Sequence, residues 1–317
     1  MGTFPAEMTP LPSSLSPAPV LAVSSNKGGV GKTTVSANLA VYIRALREDL
    51  PVLLIGLDDQ RSIDRMFALQ PPQPGEAHLK HGWAERNFQR VIQLGEYGVH
   101  YVPSPPDTEL LKARAEDPRT LQRILERTAW SGLVILDTKS DLEALTLNAL
   151  YAADRVMIPV ADSASLEEAQ KSFALLEKCG LGRDRGRVLF TLVDRRTRAG
   201  GAGVPLFHKL LSEVRTQGWP YYKATLSRSP KVEALNSSGR RPLSILHHGR
   251  ASAVHEQLHE LASEVLLDLG LATTAPVSIA AAVAAGAASP EARTRLVRRE
   301  TPESWTEGLL ASWRRRL

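Results

Sequence analysis

The run Ser25-Asn26-Lys27-Gly28-Gly29-Val30-Gly31-Lys32-Thr33-Thr34 has residue types and spacing suited to one task, the cradling of phosphate. Gly28, Gly29 and Gly31 let the backbone curl so that successive N–H groups converge on an anion. Lys32 is placed to reach the β- and γ-phosphates of a nucleotide, and the Thr33 hydroxyl to ligate Mg²⁺. Lys27 is a second lysine ahead of the usual one. The plain alternative is a glycine-rich turn that binds nothing. Gly-Lys-Thr at a strand-to-helix junction argues against it.

That junction has to be built by the flanking chain. The apolar run Val20–Val23 precedes the loop, and Gly31–Arg47 carries Val35, Leu39, Tyr42, Ile43 and Leu46 at helical spacing, with a stop at Pro51. Two further apolar runs end in acids: 51–60 (Pro-Val-Leu-Leu-Ile-Gly-Leu-Asp-Asp-Gln) and 132–137 (Gly-Leu-Val-Ile-Leu-Asp). An aspartate at a strand end beside a phosphate loop can hold Mg²⁺ through water. Taken singly, Asp58 and Asp137 read better as a helix cap or a solvated turn. In company with the loop they read as parts of one site.

From residue 20 to 271, β-rich runs alternate with helix-like stretches. The runs are Pro19–Ser24, Pro51–Leu57, Val99–Val102, Leu133–Asp137, Arg155–Val160, Arg187–Val193 and Tyr221–Leu226. Several are continuously apolar, as strands covered on both faces are. The expected fold class is α/β, a mostly parallel twisted sheet with helices on both faces. Ala251–Leu269 places Val254, Leu258, Leu261 and Val265 on one stripe and reads as a closing helix. Around this body, residues 1–19 read as a flexible Pro/Ser-rich leader and 272–300 as an Ala/Pro-rich linker. Residues 301–317 read as an amphipathic helix.

Composition narrows the classes. The 317 residues hold one cysteine, Cys179, which excludes an internal disulfide framework and a cysteine-ligated cluster, and fits a reducing cytoplasm. No apolar run approaches the roughly 20 residues that span a bilayer. Net charge is +5, of which residues 272–317 supply +3, so any nucleic-acid surface on the body has to come from local clustering.

With these motifs in order, the chain resembles the ParA/MinD family of P-loop ATPases, the deviant Walker A class, and its ParA/Soj branch above all. The resemblance runs from about Leu21 to Leu269. It rests on the double-lysine loop, Asp58-Asp59-Gln60, Asp137-Thr138, Leu147-Asn148-Ala149-Leu150, the 194–198 segment and Ser227-Arg228-Ser229. It implies a homodimer that sandwiches ATP and Mg²⁺. The nucleotide is bound by Lys27, Gly28, Gly29, Val30, Gly31, Lys32, Thr33 and Thr34, and the metal by Thr33 and Asp137. Lys27 reaches the partner's nucleotide, and Asp58 positions the attacking water beside Lys32. It further implies slow hydrolysis until a ParB-like or other activator protein stimulates it, and a cytoplasmic, nucleoid-associated role in positioning cargo such as chromosome or plasmid loci. The chain departs from the pattern at Gly56 and Asp59, where relatives usually carry Asp and Pro, and at Lys139-Ser140, where they carry Pro-Pro or Pro-Ala. These changes keep open a slow or non-hydrolysing nucleotide-gated adaptor.

Three basic clusters stand out: Arg183/Arg185/Arg187, Arg195/Arg196/Arg198, and Arg228/Lys231 with Arg240/Arg241. The last two coincide with segments that form a non-specific DNA surface in ParA-like relatives, and arginine beside glycine and serine suits contact with phosphates. Solvated loop charges are the alternative for any one of them. In the tail, Trp305, Leu309, Trp313 and Leu317 recur every four residues. That stripe suits docking on the body, a partner's groove, or an anionic membrane as in MinD-like relatives. His255-Glu256-Gln257-Leu258-His259 matches the zinc-protease spacing. Its place on the closing helix favours surface residues instead.

Overall fold

The structure, a computed structural model, describes residues 18–58, 61–71, 75–105, 111, 115–194, 205–236 and 241–272. Its strands are β1 (Val20–Val23), β2 (Val52–Gly56), β3 (Gln93–Leu94), β4 (His100–Val102), β5 (Leu133–Asp137), β6 (Arg155–Val160) and β7 (Gly186–Phe190). They form one sheet in the order β3-β4-β2-β5-β1-β6-β7. Every neighbouring pair is parallel except β3 with β4. The expected α/β class, mostly parallel, is the one observed.

The continuously apolar runs are explained by what covers them. Val20, Ala22, Leu53, Ile55, Val134, Leu136, Val156, Ile158, Val188 and Phe190 share one core cluster. With them pack side chains of α4 (Thr120–Thr128), α5 (Ala144–Ala152) and α6 (Ser163–Lys178). The alternating residues Leu21, Val23, Leu54, Ile135, Met157 and Leu189 are equally buried and turn to the other face. There α1 (Lys32–Leu46) lies along β1, β2 and β5, and it packs against α10 (Ala253–Asp268). The stripe Val254, Leu258, Leu261 and Val265 is buried, as its spacing predicts.

The remaining described helices are short: α2 (Ser62–Phe67), α3 (Leu79–Glu85), α7 (Leu206–Thr216), α8 (Pro230–Leu235) and α9 (Ile245–His248). None of the described helices is long and apolar enough to cross a membrane.

Two expectations about strands are corrected. Tyr221–Leu226 is not a regular strand. Besides a bond from the Leu226 N–H to the Phe190 carbonyl at 2.9 Å, it meets the edge of the sheet at isolated bridges, Val188 with Tyr221 and Val193 with Ser227. Between them, Glu264 of α10 accepts the backbone N–H groups of Lys223 and Ala224, so a side chain takes donors that a ladder would have used. β7 stops at Phe190 rather than Val193, because Leu192 turns into the left-handed region at φ 52°. The two-residue β3 is too short to leave a pattern in the sequence.

Most of residues 1–19, 272–300 and 301–317, on which the leader, linker and tail-helix expectations fall, lies outside the described residues.

Candidate functional site

The carboxyl ends of β1, β2 and β5 meet at the glycine loop, since all run in the same direction and β1 sits between β5 and β6. Gly29 and Gly31 adopt φ 75° and 89°, a region that costs other residues energy. Gly31 is the N-cap of α1 and offers no side-chain cap, which leaves the first-turn N–H groups of the helix to an external acceptor. Thr191, just past β7, donates its hydroxyl to the Val30 carbonyl at 2.8 Å and fixes the loop from the side.

Lys32 is buried, and its Nζ donates to the Lys27 carbonyl at 3.1 Å and to Ser140 Oγ at 2.5 Å. Burial lowers its pKa, opposed by the nearby carboxylates of Asp137, Asp58 and Asp141. Asp137, at the end of β5, is fully enclosed and accepts the Ser36 hydroxyl at 2.8 Å. Burial pushes its carboxyl up to about 6, against the pull of hydrogen bonds from Thr33 and Ser36 and the charge of Lys32. A recess beside it is lined by Thr33, Gly56, Asp58, Arg61, Ile63 and Ser104 among others. The three expected members Thr33, Asp58 and Asp137 are thus brought together.

Gly56 is not an empty position. A Cβ there would stand 2.8 Å from Ile63 Cδ1, and Ile63 is buried in α2. Asp64 on the same helix accepts the Ser104 backbone N–H at 3.0 Å, which ties α2 to the segment after β4. Asp59 and Gln60 lie outside the described residues.

Lys27 sits at the rim, on the opposite side of the loop. Its Nζ donates to both oxygens of Asp162, at 2.8 and 2.7 Å, with side chains 31% and 46% exposed. Asp162 also caps α6 by accepting the Ser165 N–H at 2.8 Å. Burial raises its pKa, but the hydrogen bonds from Lys27 and Ser165 outweigh that and hold it below the usual carboxylate range. A pocket of about 350 Å³ opens next to this pair, where the apolar Phe190, Leu192, Phe207 and Leu210 stand beside the charged Lys27, Asp162, Asp194 and Arg228.

The donor set fits a nucleotide with its metal. Convergent N–H groups and a buried ammonium suit phosphates, and a hydroxyl beside an enclosed carboxylate suits a hard cation. Sequence reasoning gave no role to Ser36, Asp162 and Thr191, and met Ser140 only as a departure from the family pattern. Ser36, one turn after Lys32, also had a local signal.

The basic residues separate. Arg228 is exposed and pairs with Glu233 at 3.1 Å, and Lys231 is exposed on α8. Arg241 instead pairs with Glu96 at 2.7 Å and donates to the Met66 and Ala68 carbonyls, which makes it a tie between segments. Arg185 donates to the Ala153 carbonyl, and Arg187 with Arg155 clasps Asp268. Arg195, Arg196, Arg198 and Arg240 lie outside the described residues. The zinc-protease spacing has no metal set behind it: His255 Nδ1 is 2.7 Å from Tyr42 Oη, and no group of three potential ligands occurs among the described residues.

Residues 18–174 match the family model AAA_31, an AAA domain. The chromosome-partitioning ATPase Soj of Thermus thermophilus is 31% identical over 255 residues, covering 78% of this chain and 94% of Soj. A putative plasmid partition protein of Borrelia burgdorferi bound to AMPPNP aligns with a TM-score of 0.61 at 18% identity, over 80% of this chain and 99% of that one. An ATP complex of a Cyanothece McdA variant aligns with a TM-score of 0.64 at 15% identity, over 82% and 100%. At such identities these two structures speak for the fold alone.

Proposed function

The chain belongs to the ParA/MinD family of P-loop ATPases, and on that premise we propose that it binds Mg·ATP at the 25–34 loop and hydrolyses it in a positioning cycle. The observation that carries this reading is that Lys32 and Asp137, both buried, stand near each other with Thr33 and Ser36 at the mouth of a left-handed glycine loop. A buried ammonium and a buried carboxylate are costly to keep, and such groups gather where a charged ligand is bound.

The division of labour follows from position. The loop N–H groups and Lys32 hold the phosphates, and Thr33 with Asp137 would hold Mg²⁺, which when bound withdraws charge from the terminal phosphoryl group. Asp58, at the recess, orients the attacking water. Lys27 stands at the rim in reach of solvent, and we assign it to the nucleotide of a second copy. A cation delivered in this way couples assembly to turnover. Arg228 and Lys231 are the described residues best placed to meet DNA phosphates, with Arg195, Arg196, Arg198 and Arg240 as further candidates. A ParB-like activator and a nucleoid-associated location complete the reading, in line with Soj being a chromosome-partitioning ATPase.

The test is ATP turnover by wild type, Asp58→Ala and Lys32→Ala, with and without DNA, alongside molar mass in a non-hydrolysable analogue. Turnover in wild type alone and a doubled mass with analogue support the proposal. Absence of ATP binding refutes it. Binding and doubling with wild-type turnover no faster than Asp58→Ala would favour the nucleotide-gated adaptor, the reading to which Gly56 and Lys139 point.

A further inference from the structure

The loop after β5 is fastened on both sides of one exposed hydroxyl. Thr138 donates its side chain to the Val23 carbonyl at 3.0 Å. Asp141 accepts the Glu143 N–H at 3.1 Å and the Thr146 hydroxyl at 3.0 Å. Between these pins Ser140 is exposed, yet its Oγ accepts Lys32 Nζ at 2.5 Å and lies 3.9 Å from the Cβ position of Gly28. It therefore overhangs the phosphate loop from the β5 side.

A serine hydroxyl that accepts a bond from an ammonium keeps its own proton to donate. Beside Lys32 and Gly28, and open to solvent, the acceptor it suits is an anionic oxygen at the loop's mouth. We propose that Ser140 is a binding residue for the terminal phosphoryl group: its hydroxyl, oriented by Lys32, donates to an oxygen present in a nucleoside triphosphate and absent from the diphosphate. This rests on reading the loop as a nucleotide site, and it adds a side-chain contact by which this chain tells its substrate from its product. A hydrogen bond to a charged oxygen in a partly enclosed site is strong enough to be read as a shift in affinity.

The experiment is calorimetric titration of wild type, Ser140→Ala and Ser140→Thr with Mg²⁺ plus either ADP or a non-hydrolysable ATP analogue. The alanine variant is expected to lose about tenfold in affinity for the analogue while ADP stays within about twofold, and threonine to restore the wild-type value. Equal losses for both nucleotides would overturn the proposal, because Ser140 would then act only by holding Lys32. No loss for either would overturn it as well. A wild type that binds neither nucleotide would sink the site and the proposal together. A wild type that binds both, beside an unaltered alanine variant, would sink the proposal alone.

Discussion

Replacing Asp162 with asparagine separates two roles that the aspartate fills at once. It is the ion-pair partner of Lys27 and the N-cap of α6. Asparagine keeps an oxygen for the Ser165 N–H but loses the charge; alanine loses both. With 31% and 46% of the two side chains exposed, the pair belongs to the surface class, contributing about 0.2–1 kcal/mol. The cap contributes about 1 kcal/mol. Urea unfolding at low salt should therefore show a loss below about 1 kcal/mol for Asp162→Asn and about 1 kcal/mol more for Asp162→Ala. If Lys27 leaves this pair to serve a second copy, each dimer breaks the pair twice, and the asparagine variant is spared that cost. Its dimer with a non-hydrolysable ATP analogue should be tighter by about 2- to 30-fold at low salt, less in high salt. Sedimentation equilibrium measures this. A dimer equal to or weaker than wild type at low salt would refute the reasoning, as would equal losses of stability in the two variants.

Asp137, with its folded pKa of about 6 above the ordinary 3.8, binds its proton more readily in the fold, so stability falls as pH rises through that window. Asp137→Asn should flatten the fall in urea titrations between about pH 4 and about pH 6, and abolish any gain in Mg·ATP affinity over the same range. Asp268 is held below the usual carboxylate range: burial opposes this, but hydrogen bonds from Arg187 and Arg155 prevail. Its stabilisation is present above the unfolded value and lost as pH falls through the folded one. Asp268→Asn should cost about 2 kcal/mol at pH 7, with the gap to wild type closing in acid below about pH 4. Arg241→Ala should lower the urea midpoint, through loss of Glu96 and two carbonyl partners, and leave the salt slope of DNA binding alone. Arg228→Ala and Lys231→Ala should do the opposite, each reducing that slope by about one. An unchanged slope in both would remove them from the DNA surface.

What was legible in the sequence is what local physics dictates. The glycine loop, the stripe of α1 and the acid-ended strands each lie within a few residues of the features that define them, and the structure brings Thr33, Asp58 and Asp137 to one recess. What was not legible is pairing across long separations. Arg187 looks like one member of a surface cluster until Asp268 comes round to meet it, and Lys27 gives no hint of Asp162. Tyr221–Leu226 has strand composition, but the donors at Lys223 and Ala224 are claimed by a glutamate forty residues on, which no periodicity reveals. Arg241 and Arg228 are alike as letters, and differ only in what stands beside them.

The packing of Ile63 against Gly56 bears on what any larger residue there would do. A side chain at position 56 would meet first the free end of the isoleucine, which can turn aside, and beyond it nothing nearer than 3.8 Å. An acid there would therefore act twice, adding charge beside Asp58 and pushing Ile63 to another rotamer in the wall of the recess. Shape and electrostatics at this corner are tied to one and the same residue.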